Sequence, residues 1–302
     1  MPPAVKKKPR ETSAVFELYA AGLARDEALP AGAQAPPAQA LKDLAARGAK
    51  GWPEHGTLYT RSLPPGCAQC LKGQGSNLCL TTLCTRECFF CFNPKPRAEG
   101  LSVHGKAVSD ESEIAGILSE HDIASVGLSG GEPLMNPERT LRIVRLLRAR
   151  FGKGLRIDLY TNGDLLSEEL LARLSSAGVD GLRLNLAANG YDLTPVKLAL
   201  GKIRDVTVEM PTIPGHRESL KRLVRELDEA GAGHLILHEL FASAQNMDAL
   251  IKRGCEAAPG EYDKLTWSGV AASGELALEI MRYAQDNAKN LLSIFCFLAR
   301  RV

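Results

Sequence analysis

Between residues 77 and 239 the chain alternates short apolar runs with amphipathic stretches six times over, and few folds accept that pattern. The apolar runs, 77–83, 123–128, 155–161, 181–186, 205–210 and 234–239, have the length of buried strands. The stretches between them carry helix ends. Asp110 and Glu113 have the spacing of a capping box, Asn136 stands before Pro137 as a cap stands before a first helical residue, and Ser167 and Gly178 suit a start and a stop. Leu220, Leu223, Val224 and Leu227 fall on one helical face. Six βα units place the chain in the α/β class, with a parallel sheet, helices outside it and a partial (βα)6 barrel as the expected form. An open doubly wound sheet fits the same pattern. In both, ligands bind at the C-terminal ends of the strands.

The flanks read differently. Residues 1–66 begin with Lys6, Lys7, Lys8 and Arg10, then show helix-like stretches at 13–27 and 38–48 around an Ala/Pro-rich linker. They are expected to form a partly helical extension packed on a core of residues 67–240. Residues 241–302 are expected to cover the barrel mouth, with Tyr262 and Trp267 in a loop there. The formal net charge of +2 gives no argument for a nucleic-acid surface. No apolar run approaches the ~18 residues of a membrane span, and the N-terminus lacks the apolar core of a secretion signal, so a cytoplasmic protein is expected.

Cysteine narrows the chemistry. Six of the eight lie between Cys67 and Cys91, and clustered cysteines in a reducing compartment bind metal more often than they form disulfides. Cys84, Cys88 and Cys91 follow the first strand as Cys-x-x-x-Cys-x-x-Cys. Three thiolates on a short loop can hold three corners of a [4Fe–4S] cube and leave one iron open to chelate the amino and carboxylate groups of an amino acid. Phe89 and Phe90 would keep water away from it. Cys67-x-x-Cys70 and Cys88-x-x-Cys91, seventeen residues apart, also have a zinc-ribbon spacing. A structural or electron-carrying cluster is a further alternative.

The second strand closes on Ser129-Gly130-Gly131-Glu132-Pro133. Two glycines admit a close ligand, and Pro133 keeps Glu132 extended. Carbonyls and a carboxylate displayed there can accept hydrogen bonds from an ammonium group. The third strand ends in Tyr160-Thr161-Asn162-Gly163, and Asn185 stands near the end of the fourth.

The segment 84–91, with its aromatic residue before the last cysteine, resembles the signature of the radical S-adenosylmethionine superfamily. Residues 129–133 are similar to that family's Gly-Gly-Glu-Pro motif, and 161–163 to its Thr-Asn-Gly segment. Residues 211–218 resemble its adenine-contacting pattern, with Pro211 where a glycine is expected and Ile213 matching. The resemblance implies a [4Fe–4S] cluster on Cys84, Cys88 and Cys91. It also implies S-adenosylmethionine held by Ser129, Gly130, Gly131, Glu132, Thr161, Asn162, Asn185 and Ile213. The activity it implies is reductive cleavage of the sulfonium to methionine and a 5′-deoxyadenosyl radical. A one-electron donor such as flavodoxin or ferredoxin would be a partner, and the substrate would be an unidentified small molecule, peptide or protein. The Pro-Pro-Gly-Cys-x-x-Cys lead-in at 64–70, the Ile-Pro-Gly turn and the pair Glu239 and Asn246 resemble a little-characterised group related to pyruvate formate-lyase activating enzyme.

Three further chemistries stay open at this level. One is a non-catalytic zinc or iron–sulfur module. A second is transfer of the 3-amino-3-carboxypropyl group. The third is radical methylation, for which no cobalamin-binding domain is apparent. Cys67, Cys70 and Cys296 are candidates for an auxiliary iron–sulfur cluster or zinc site, with Cys255 as a fourth ligand. Cys79 reads as a small buried hydrophobe.

Overall fold

The computed structural model describes residues 38–52, 57–255, 268–270 and 272–296. The helix expected at 13–27, and Tyr262 and Trp267, lie outside the described residues. Seven parallel strands form the centre of the fold: β3 (Gly75–Thr81), β6 (Ser125–Gly130), β7 (Arg156–Thr161), β8 (Gly181–Leu184), β9 (Asp205–Thr212), β10 (His234–Glu239) and β13 (Leu292–Cys296). Antiparallel strands flank them, β1 (Lys50–Trp52) and β2 (Thr57–Tyr59) on one side, β4 (Glu99–Val103) and β5 (Lys106–Ala107) on the other. The order is β1-β2-β13-β10-β9-β8-β7-β6-β3-β4-β5, an open sheet with two free edges and hence a partial barrel. The seventh parallel strand, the hairpin β4–β5 and the short helix α2 below were not expected from the sequence.

The helices begin and end where their caps dictate. α1 spans Ala38–Ala46 and α2 Pro65–Leu71; α3 (Glu113–Ser119) follows Asp110, whose amide donates to Glu113 Oε1 at 3.0 Å. Asn136 Oδ1 accepts from the Arg139 amide at 3.1 Å to open α4 (Pro137–Phe151). Ser167 does the same for α5 (Glu168–Ala177), which Gly178 ends in the left-handed conformation at φ 106°. α6 (Thr194–Ala199) follows β8, and α7 (Arg217–Ala230) buries Leu220, Leu223, Val224 and Leu227. Each of those four side chains contributes about 1.5–3 kcal/mol by leaving water. After β10 come the two-residue strands β11 (Phe241–Ala242) and β12 (Ser268–Gly269), which pair with each other, and the short helix α8 (Met247–Ile251) between them; α9 (Ser273–Asn287) packs against α7 and leads into β13.

The two faces of the sheet differ in chemistry. Ile157 and Leu159 of β7, Leu182 and Leu184 of β8 and Val208 and Met210 of β9 join the buried apolar core beneath the helices. The alternate positions are polar, because successive strand residues face opposite sides. Asp158, Arg183, Glu209 and His238 link four neighbouring strands. Arg183 donates to Asp158 at 3.2 Å and pairs with Glu209, and Glu209 Oε1 meets His238 Nε2 at 2.7 Å. Burial pushes the Glu209 carboxyl up, but Arg183 and His238 together outweigh it and hold it at about 2.

α2 lies on this polar face. A Cβ on Gly66 would stand 2.3 Å from Asp158 Oδ2 and 2.6 Å from Arg183 Nη2, so the close approach requires glycine. Cys67 Sγ accepts from Arg183 Nη1 at 3.3 Å, and Cys70 packs against Gly75, the first residue of β3. α2 and the ion-paired layer therefore close the barrel below the level of the strand ends.

Candidate active site

Loop 82–98 leaves the C-terminal end of β3 and is closed at its base. Thr82 Oγ1 donates to Ala98 O at 2.9 Å and accepts from Ala98 N at 2.7 Å. Cys84, Cys88 and Cys91 all stand on it, free and partly buried. They lie within electrostatic reach of one another: burial, then the Cys91 and Cys84 thiols, pushes Cys88 up to about 11. Among the described residues no three His, Cys, Asp or Glu side chains close on a single metal ion.

The loop is anchored at both ends, partly by residues that the sequence singled out (Asn162, Gly130 and Ile213) and partly by Asp164 and Asn93, which it did not. Arg86 forks onto Asp164 with two bonds of 2.7 Å, and Thr85 Oγ1 donates to Asp164 at 2.8 Å. Asn162 Nδ2 donates to Thr85 Oγ1 at 2.8 Å and stands 3.7 Å from Cys84 Sγ. Asn93 Nδ2 donates to Gly130 O at 2.6 Å. At the far end Phe90 is buried with Ile213, Leu240, Ala242, Leu250 and Val270, and Cys88 and Phe89 pack on that group. Ile213 thus forms an apolar wall beside the loop.

The Glu132 side chain, which its sequence context led us to expect displayed at the strand end, is turned into the protein. It is fully buried. Its carboxylate lies 2.9 Å from Thr161 Oγ1 through both oxygens, and accepts from Asn162 N at 2.8 Å and Leu134 N at 3.1 Å. Glu132 and Thr161 thus spend their polar groups joining the ends of β6 and β7. The neighbouring glycines are closely packed as well. A Cβ on Gly131 would stand 2.0 Å from Leu83 O and 2.6 Å from Thr82 O, and one on Gly130, at φ 122°, 2.2 Å from Thr81 O. Their smallness admits the cysteine loop's own backbone. Ser129 Oγ donates to Asn77 Oδ1 at 2.6 Å and ties β6 to β3.

Near the strand ends, Asn185 Oδ1 and Thr212 Oγ1 are buried and make no hydrogen bond among the described residues, a costly state for buried groups. Asn185 was expected at such a place. Thr212 was not, although its position as the last residue of β9, just before the Ile-Pro-Gly turn, was a usable signal.

The remaining cysteines part company. Cys67 and Cys70 lie at the N-terminal end of β3, whereas Cys88 and Cys91 lie beyond its C-terminal end, about 20 Å away along seven residues of strand. The two pairs do not form one zinc-ribbon site. Cys255 packs on the apolar group of Phe90, at the cysteine-loop end, and so is not placed to complete a site with Cys70. The backbone of Cys296 pairs with His238 in β13.

Asn246 links the loop to the segment after β10. It is buried, with Nδ2 donating to Phe90 O at 3.0 Å and Phe241 O at 3.1 Å, and Oδ1 accepting from Ser243 N at 2.7 Å. Asn246→Ala removes all three bonds and strands buried backbone groups. A loss of about 2–4 kcal/mol is expected, read as a lower urea midpoint with unchanged slope.

The model of the Radical SAM superfamily matches residues 78–231, about half of the chain. A Methanocaldococcus jannaschii protein bearing the name "Putative glycyl-radical enzyme activating enzyme" is 29% identical over 73% of this chain. The match covers 60% of that relative's length, so the chain spans about three fifths of it. The PqqA peptide cyclase of Ruegeria pomeroyi is 34% identical over 38% of this chain and 29% of its own. Among solved structures, methylornithine synthase aligns over 76% of this chain and 72% of its own, with 16% identity and a TM-score of 0.48. No described helix is long and apolar enough to cross a membrane.

Proposed function

The chain belongs to the radical SAM superfamily, whose enzymes use a [4Fe–4S] cluster and S-adenosylmethionine, and from that premise we propose that Cys84, Cys88 and Cys91 hold the cluster and that the protein cleaves S-adenosylmethionine reductively. The observation that carries this reading is the cysteine loop itself. Three free thiols stand on one short segment, within electrostatic reach of each other, as suits ligands to the corners of one cluster. When bound there, the pair of cofactors supplies an electron and a 5′-deoxyadenosyl radical.

The chain's own residues do the rest. Asp164, Asn162 and Asn93 fix the loop over the ends of β6 and β7. Phe90 and Ile213 exclude water on one side. The orphaned Asn185 Oδ1 and Thr212 Oγ1 fit the sugar hydroxyls of the nucleoside, and Ile213 fits its base. Glu132 and Thr161 act one step behind, by holding the strand ends. Cys88, raised to about 11, gives up its proton when metal binds, so loading falls at low pH.

Residues 67–240 are proposed as the catalytic core. A one-electron donor is the proposed partner, and a peptide or protein is the first substrate class to test, in view of the relatives named for peptide cyclisation and glycyl-radical activation. Anaerobic reconstitution, one-electron reduction and product analysis test the chemistry. 5′-Deoxyadenosine is expected. Methylthioadenosine alone would mean 3-amino-3-carboxypropyl transfer, and S-adenosylhomocysteine alone methylation; either would sink the reading.

A further inference from the structure

The three thiols of the cysteine loop do not have equal surroundings. Cys88 packs on the apolar group of Phe90 and Ile213, and among the described residues no hydrogen-bond donor reaches the Cys88 or Cys91 sulfur. Cys84 has donors on several sides. The Arg86 amide donates to its sulfur at 3.5 Å, and Asn162 Nδ2 stands 3.7 Å away. The Arg97 guanidinium also lies against it and within electrostatic reach of Cys91.

Arg97 is the charged member of this set. Its side chain is only 11% exposed. Nε lies 3.0 Å from Glu87 Oε1, but off axis, and among the described residues neither Nε nor Nη1 completes a hydrogen bond. Glu87 is 68% exposed, so water screens its charge far more than it screens the guanidinium field on the thiol side. A buried cation with unspent N–H groups beside metal-binding thiols is costly unless something negative sits with them.

We propose that Arg97, with Asn162, is a positioning and tuning pair for the cluster: through the Cys84 sulfur it raises the reduction potential and makes entry of the electron easier. The inference rests on the reading that Cys84 ligates a [4Fe–4S] cluster. Reduction adds one electron and no proton, so the cluster gains one negative charge. A fixed positive charge and N–H donors at a ligand sulfur favour the more negative state. Arg97 would act on the cluster electrostatically, through its charge and its N–H donors.

Potentiometric titration followed by electron paramagnetic resonance tests this on the full chain, reconstituted anaerobically without S-adenosylmethionine. Iron per chain is measured in each sample. R97Q is expected to bind the full iron complement but to show an about tenfold lower ratio of reduced to oxidised cluster at the wild-type midpoint, a shift of about 59 mV to more negative potential. R97K keeps the charge and is expected to recover most of the shift. N162A removes one donor and is expected to shift the midpoint the same way by a smaller amount, and it carries the test alone if R97Q does not fold. Midpoints equal to wild type in iron-loaded R97Q, or in N162A where R97Q does not fold, overturn the inference and leave the cluster assignment standing. A wild-type protein that never holds about four irons per chain overturns the assignment itself, and the inference with it.

Discussion

A variant with Cys84, Cys88 and Cys91 all replaced by alanine is expected to produce no 5′-deoxyadenosine above background, with its iron content falling alongside the activity. The loop would still close, because its base is held by Thr82 and Ala98 and its flanks by Asp164 and Asn246, none of which uses a sulfur atom. Only Cys88 packs in an apolar group, so the folding cost is small, about 1–2 kcal/mol for one shortened half-buried side chain. Loss of activity in a protein with a near-normal thermal transition would therefore report the missing thiolates. Formation of product at the wild-type rate would refute the assignment, whatever the iron content.

Gly131→Ala is expected to be the most damaging single change near the loop. The new methyl would lie 2.0 Å from Leu83 O and 2.7 Å from Leu83 C, with Thr82 O at 2.6 Å, and all three are backbone atoms. Nothing there is the flexible end of a side chain. Relief requires β6 and the cysteine loop to separate, which breaks the Gly131 N to Thr81 O bond of 2.6 Å and the Glu132 N to Leu83 O bond of 2.7 Å. Together these cost more than about 4 kcal/mol, in the range that only steric or buried polar faults reach. Iron content and thermal stability should fall together. A variant that loads iron normally and loses only S-adenosylmethionine affinity would show that the glycine serves the ligand and not the loop.

That contrast marks where sequence reading stops. Strand positions were legible from runs such as 155–161, since the apolar alternate positions face the helices, and caps such as Asn136 and Ser167 announced their helices. The cysteine loop was legible because its chemistry is local. Glu132 was legible as important but not as a strut: its partners Thr161 and Asn162 lie about thirty residues away, and only the pairing of β6 with β7 brings them to it. β13 was unreadable for the same reason. A five-residue apolar run fits a buried helix turn as well as a strand, and the choice is made by β10 and β2, which pair with it from distant parts of the chain. The hairpin β4–β5 had a signal, Val103-His104-Gly105-Lys106, with His104 and Gly105 both at positive φ.

The layer of Asp158, Arg183, Glu209 and His238, with α2 seated on it, has a consequence for reach. Gly66 and Cys67 already touch that layer, so the lower tiers of the wall are taken up by the protein itself. On the proposed reading, a reacting group would be delivered at the height of the strand ends, where Asn185 and Thr212 stand. A large substrate would then be reached only at a protruding segment, so that protrusion, more than overall size, would decide what can be altered.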